Sequence, residues 1–161
     1  MRDTAPVKGG AADSGRRRQN GTQFATFFVT DLFFGIDVLN VQEVLRNQEM
    51  TRVPLAPAVI EGLINLRGQI VTAIDMRRRL DLPAREGAQA SMNVVVRTQE
   101  GAVSLLVDEI GDVLEVAADS YEPPPDNLTR EQRELIQGIY KLEGRLLLVL
   151  DTERVLHTAA N

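Results

Sequence analysis

Four aspartates beside short apolar runs, Asp37, Asp75, Asp108 and Asp151, are the residues of this 161-residue sequence best suited to chemistry. Carboxylates at strand ends can hold Mg²⁺, accept a phosphoryl group or work as an acid and base pair. A phospho-acceptor site also needs alternating β and α units and a nearby lysine. Beyond residue 22 the chain has one lysine, Lys141, and no such alternation. Helix and turn capping accounts for the same carboxylates without chemistry. A metal-dependent hydrolase using Asp75 and Asp151 stands as the enzymatic alternative. Other catalytic types are poorly supplied. The sole histidine, His157, lies five residues from the end of the sequence, and the four serines lack a nucleophile elbow or a usable base. With no cysteine and no glycine-rich phosphate loop, thiolate chemistry, Cys-type zinc sites and nucleotide cradles are not indicated. The expectation is no catalytic residue, no metal ligand and no cofactor.

The elements that would position these residues are mostly strands. Phe24 to Val29 and Leu32 to Val38 flank Thr30-Asp31, and Gly62 to Leu66 and Gln69 to Ile74 flank Arg67-Gly68. Met92 to Val96 with Val103 to Val107, and Ile139 to Leu142 with Leu146 to Leu150, form two more such pairs, the last across Glu143-Gly144. Each reads as a hairpin, and short runs at this spacing fit a barrel or sandwich. Helical signals are short. Val41, Val44 and Leu45 have helical spacing behind a possible cap at Asn40, and Thr129 to Gln132 has the capping-box form. Met76 to Leu80 and Thr152 to Leu156 each follow an aspartate that can cap a single turn.

Composition narrows the function classes. At 43% hydrophobic and 25% charged, with no apolar run near the ~20 residues of a membrane span, the sequence reads as soluble and intracellular, without direct membrane insertion. Residues 1–22 carry five basic and two acidic groups (+3), residues 23–100 eight and nine (−1), and residues 101–161 five and twelve (−7). A body of that sign repels phosphate backbones, which argues against nucleic acid as a partner. Residues 1–22, with Arg16-Arg17-Arg18, read as a disordered N-terminal arm, and 158–161 as a tail.

The chain also repeats itself. Residues 60–80 align without gaps to 136–156, with seven of 21 positions identical: Ile60/Ile136, Gly62/Gly138, Leu66/Leu142, Gly68/Gly144, Asp75/Asp151, Arg78/Arg154 and Leu80/Leu156. Upstream, 34–45 aligns to 103–114, and a seven-residue insertion separates the two registers. Two copies, segments 34–80 and 103–156, make up a body spanning 23–157. Each is too small to be stable alone, so a shared core is expected. The copies differ at the turn, where Asn65 and Arg67 become Lys141 and Glu143.

The run Gly62-Leu63-Ile64-Asn65-Leu66-Arg67-Gly68, followed by Ile70 to Asp75 and Arg77, resembles the CheW family of chemotaxis coupling proteins. Phe34 to Asp37, Val41-Gln42-Glu43-Val44, Thr51 to Pro54, Val107-Asp108-Glu109, Val113-Leu114 and Pro123 to Pro125 follow in the family's order. The resemblance implies a mainly β fold of two SH3-like, five-stranded β-barrel subdomains with short connecting helices. It also implies a non-enzymatic adaptor that joins the cytoplasmic tip of chemoreceptors to the regulatory domain of a CheA-type histidine kinase. The pathway is chemotaxis or a non-flagellar chemosensory route, and the place is the cytoplasm, recruited to membrane-bound receptor arrays. Carried over by position, the receptor site comprises Val41, Glu43, Val44 and Arg67, although the two valines equally suit a core. The kinase-contact positions are Gly62, Gly68 and Val113, although the two glycines equally suit structural roles. Thr72 departs from the family, which commonly has proline there.

Overall fold

The computed structural model describes residues 22–84 and 91–159, the side chains of residue 118 and residues 156–159 excepted. Arg16-Arg17-Arg18 lies outside the described residues, whereas Thr22, read above as the end of the arm, opens the first strand. The strands are β1 (Thr22–Val29), β2 (Leu32–Asp37), β3 (Val41–Arg46), β4 (Ile60–Leu66), β5 (Gln69–Asp75), β6 (Met92–Thr98), β7 (Gly101–Val107), β8 (Glu109–Ile110), β9 (Leu114–Val116), β10 (Tyr121–Glu122), β11 (Ile136–Leu142) and β12 (Arg145–Leu150). Among the described residues three helices join them: α1 (Met76–Arg79), α2 (Arg130–Leu135) and α3 (Thr152–Ala159). All four expected hairpins form.

One expected helix is a strand. Val41, Val44 and Leu45 belong to a strand, not a helix. Only the 3-10 turn Val38–Asn40 is helical, and Asp37 caps it by accepting from the Leu39 N–H. Between Val41 and Glu43 the pairing of β3 with β6 shifts register, which inserts Gln42 as an extra residue. Such a bulge breaks strict alternation, so a strand acquires spacing that imitates a helix. Helix α3 runs past the single turn expected, through Ala159.

The strands make two sheets. One orders β3-β6-β7-β5-β4, and the other β10-β11-β12-β2-β1-β8 with β9 also on β1, seven strands where five were expected. In neither sheet does this strand-to-strand path close on itself. Closure comes from the chain: residues leaving β3 bridge back to β4 through Thr51 and Leu63, and β9 leads into β10 on β11. Each sheet mixes the two sequence copies. The first copy begins with β2 in the seven-stranded sheet and continues with β3 to β5 in the other. The second begins with β7 in the five-stranded sheet and continues in the seven-stranded one. Parallel pairing of β2 with β12, and of β7 with β5, marks both crossings.

Three apolar clusters follow from this exchange. Ile64, Leu66, Val71, Ala73 and Val95 fill the five-stranded barrel, and Phe24, Phe33, Val116, Tyr140, Leu147 and Val149 fill the other. Between the sheets, Phe27, Phe34, Ile36, Ile74, Val94, Leu105, Leu148 and Leu150 form part of one shared core. Leu147 and Val149 point one way from β12 and Leu148 and Leu150 the other, so alternation supplies both cores from one strand.

The repeat extends to individual hydrogen bonds. Register shifts fall between Ile60 and Gly62 and again between Ile136 and Gly138. Asp75 caps α1 by accepting from the Arg77 N–H (3.0 Å), while its own N–H donates to Val59 O at 2.8 Å. Asp151 repeats this, capping α3 at Glu153 N (3.1 Å) and donating to Leu135 O (2.8 Å). Arg78 and Arg154 then hold Ala58 O and Glu134 O. At the pseudo-dyad, Arg79 of α1 donates from Nε to the carbonyl of Val155, its own counterpart in the second copy. Arg79 is buried with Nη2 lacking a hydrogen-bond partner, and desolvation holds its pKa below the usual arginine value against the nearby Glu134 and Glu131.

Gly62 and Gly138 both meet the closing segment, with unequal consequences. A Cβ on Gly62 would lie 2.7 Å from the Thr51 carbonyl oxygen, which also accepts from Leu63 N. A Cβ on Gly138 would strike the end of the Tyr121 ring, which can swing away at the cost of its hydrogen bond to Gln137 O. Gly62→Ala is therefore expected to lower stability by about 2 kcal/mol, and Gly138→Ala by about 1 kcal/mol. Urea unfolding of the two variants checks the order.

Candidate functional site

Arg67 and Glu43 form a bidentate ion pair that presents its cation at the surface. Arg67 sits in the β4–β5 turn with φ +50, followed by Gly68 at φ +88, two successive left-handed residues that suit a tight two-residue hairpin. Asn65 Oδ1 accepts from the Gly68 N–H at 2.9 Å and holds the turn. The guanidinium meets Glu43 of β3 in bidentate fashion, Nη1 to Oε2 at 2.8 Å and Nη2 to Oε1 at 2.7 Å. The Arg67 side chain is 73% exposed and that of Glu43 only 18%, so the carboxylate is the backing and the arginine the presented face. Val44 stands exposed on the same strand, while Val41 packs against the shared core. The structure thus brings Glu43 and Arg67 into contact and separates the two valines by role.

The hydrogen bonds from Arg67 hold the Glu43 carboxyl below its ordinary value of 4.5, and Glu43 raises Arg67. A carboxyl depressed in the folded state contributes stability above its unfolded value and loses it as pH falls through the lowered one. The pair is therefore intact at neutral pH and opens only below about pH 4.5. In a carboxyl-carbon NMR titration, Glu43 should titrate below the usual glutamate range and return to it in Arg67→Gln.

The other expected positions disperse. Gly62 is buried and its lack of a side chain is used by Thr51; Gly68 is exposed at the turn; Val113, 57% exposed, lies between β8 and β9 on the other sheet. In the second copy Lys141 pairs with Glu122 at 3.5 Å, and Glu143 lines a small cavity with Asp112 and Leu114. Among the described residues no counterpart of the Arg67 clamp is built there.

Of the four aspartates, Asp37, Asp75 and Asp151 are caps. Asp108 is not. Its carboxylate takes Arg77 Nε (3.1 Å) and Nη2 (2.8 Å) from α1 and the Thr30 N–H (2.6 Å) from the β1–β2 turn, tying both sheets at one point. Glu153 occupies Arg77's place in the repeat and accepts from the Gln99 N–H of the β6–β7 turn. Sequence reading missed this clamp because each partner comes from a different segment. With Asp75 and Asp151 committed to helix amides and to Arg78 and Arg154, they face each helix rather than one another. Among the described residues no three of His, Cys, Asp and Glu converge as a metal site.

Residues 23–160 match the CheW-like domain family. The chain belongs to that family. It is 33% identical over 138 residues to the chemotaxis protein CheW of Bacillus subtilis, covering 86% of this chain and 88% of the relative. It is 30% identical over 135 residues to CheW of Rhizobium meliloti (84% and 87%). The crystal structure of a CheW scaffolding protein from Thermoanaerobacter tengcongensis superposes with a TM-score of 0.76 at 26% identity, covering 84% of this chain and 92% of that one. As a CheW-like protein the chain is a chemotaxis adaptor and not an enzyme, which accords with carboxylates spent on caps and clamps. Thr72, the departure from the family's proline, lies inside β5 opposite Leu63 on one side and Val103 on the other. Among the described residues no helix is long and apolar enough to cross a membrane.

Proposed function

We propose that this chain couples membrane chemoreceptors to a CheA-type histidine kinase, binding the receptor's helical tip through Val41, Glu43, Val44 and Arg67. The observation that carries the reading is the Glu43–Arg67 clamp. A guanidinium held by two hydrogen bonds on a rigid turn loses little freedom on binding, and beside it Val44 offers an apolar anchor. A helical hairpin presents spaced apolar residues flanked by polar ones, which suits that combination. The kinase's regulatory domain contacts the β4–β5 hairpin around Gly68 and the loop at Val113, with Gly62 supporting that hairpin from inside. The coupling is mechanical: the chain contributes surfaces and rigidity, and the kinase supplies the phosphoryl chemistry. It works in the cytoplasm at receptor arrays.

Purified chain, receptor tip fragment and kinase test this by co-sedimentation. The ternary complex is expected to need all three components, and kinase captured equally well by receptor alone would overturn the reading. Affinity purification from the source cell then names the receptors, and so separates flagellar chemotaxis from another chemosensory route.

A further inference from the structure

Each copy of the repeat bulges at the same place and holds the bulge with a different side chain. In β3, Val41 lies opposite Val96 and Glu43 opposite Val95, so two steps along β3 match one along β6. In the second copy Ile110 lies opposite Phe27 and Leu114 opposite Phe24, four steps against three. The alignment of 34–45 with 103–114 matches Val41 to Ile110 and Glu43 to Asp112, so the extra residue recurs at one point of the fold. In the second copy the Thr26 hydroxyl on β1 donates to the Asp112 carbonyl, and Gly111 N–H donates to Thr26 O at 2.9 Å. In the first copy the holder is Arg97 on β6. Its Nη1 donates to Leu39 O at 3.2 Å, in the 3-10 turn, and to Val41 O at 3.1 Å, on the first residue of the bulge. Carried back at the same offset, the place of Arg97 falls to Phe28 in the second copy, so the guanidinium bracket belongs to the copy that carries the Glu43–Arg67 clamp.

The bulge decides which way Glu43 points. On β6, Val94 and Val96 face the shared core and Val95 faces the interior of the five-stranded barrel. Val41, opposite Val96, packs against the shared core, while Leu45 packs in the barrel and Glu43 stands on that same face opposite Val95. Val41 and Glu43 are two positions apart and would share a face in an unbroken strand, so the inserted Gln42 is what separates them. Without it Glu43 would fall opposite Val94, on the shared-core side, away from the β4–β5 turn that carries Arg67. Strand β3 lies at the edge of its sheet, with β6 as its neighbour, and β6 side chains bracket it at both ends. Asn93 holds the far end, donating from Nδ2 to Arg46 O at 3.2 Å while its Oδ1 accepts from the buried Ser104 hydroxyl at 2.9 Å. Arg97 holds the near end, where the bulge is.

We propose that Arg97 is a positioning residue for the candidate receptor site: by tying Leu39 O and Val41 O to β6 it holds the β3 bulge, and the bulge aims Glu43 at Arg67. Its bonds go to backbone carbonyls, so it acts through the strand, and a guanidinium keeps both bonds at any pH the fold survives. The consequence for receptor binding rests on the coupling reading above, whereas the aiming of Glu43 does not.

NMR of the full chain with Arg97→Ala or Arg97→Lys, with neither receptor nor kinase present, tests it. Arg97 is exposed, so both variants are expected to keep the wild-type circular dichroism. In Arg97→Ala, amide exchange at Val41 and Glu43 should quicken by about tenfold while Val94 and Leu105 of the core keep their protection. The Glu43 carboxyl should return from its depressed value to the ordinary glutamate range, because Arg67 no longer meets it. Arg97→Lys, which keeps a cationic donor beside the same carbonyls, should recover most of both effects. Binding of the receptor tip fragment should weaken by about tenfold in Arg97→Ala, with kinase capture unchanged. A folded Arg97→Ala in which Glu43 titrates as in wild type, a loss of protection spread over the whole sheet, or a lysine variant no better than alanine overturns the proposal. A displaced Glu43 with receptor binding undiminished upholds the positioning role of Arg97 and overturns instead the assignment of Arg67 to the receptor.

Discussion

Arg67→Glu is expected to abolish receptor-dependent activation of the kinase while the fold survives. Removing the guanidinium takes away the presented cation, and the new carboxylate faces Glu43, whose two oxygens lose both hydrogen bonds. Arg67 is mostly exposed and buries no core surface, so thermal stability should change little. The exchange Glu43→Arg with Arg67→Glu separates two roles. If only the pair matters, for holding the β3 edge against the β4–β5 turn, the double variant recovers activity. If the cation must be at the turn to meet the receptor, the double variant regains thermal stability and remains inactive, which is the expected result. Kinase phosphorylation assayed with and without receptor, alongside thermal unfolding, distinguishes them. Full activity in Arg67→Glu would remove this residue from the site.

Asp108→Ala is expected to have the larger effect on stability, about 3 kcal/mol. The carboxylate is 14% exposed and so is Arg77, so deletion leaves a guanidinium largely shielded from water without its counter-charge. It also strands the Thr30 N–H at the β1–β2 turn. Arg77 and Asp108 follow neighbouring strands of the five-stranded sheet, and Thr30 belongs to a hairpin of the other, so the contact to Thr30 is the one that ties the sheets and it is lost with the carboxylate. Arg77→Met combined with Asp108→Ala should recover about half of the loss, since an apolar side chain removes the unpaired charge while the turn amide stays unsatisfied. Chemical denaturation of the two single variants and the double variant measures the coupling. Equal losses that simply add would show that the pair is solvated and contributes little.

Local elements were largely readable from the residues. Thr129 to Gln132 forms the capping box its spacing announces, and all four expected hairpins form, three of them turning at the dipeptides Thr30-Asp31, Arg67-Gly68 and Glu143-Gly144. These depend on neighbours a few positions apart, which a sequence displays directly. Val41 to Leu45 misled for a reason equally local: the bulge at Gln42 exists because β6 offers a partner strand, and β6 lies about fifty residues onward. The strands β8, β9 and β10 escaped notice because two or three residues carry no periodicity. At the candidate site, the family pattern pointed to Glu43 and Arg67, while the depth of Val41 and the exposure of Val44 followed only from packing.

The sequence by itself determined that the chain is a β protein made twice over, with glycines and aspartates at matching turns and caps and no assembled catalytic chemistry. Such features are encoded in residue type and short spacing, and duplication writes them a second time, where the copies corroborate each other. Only the tertiary structure decided how the copies share strands. Nothing in the spacing of β2 or β7 says that each joins the sheet built mainly from the other copy, because strand pairing is chosen by the apolar faces that meet when the whole chain collapses. From that exchange come the shared core and the Asp108 clamp that reaches Arg77 on one sheet and Thr30 on the other.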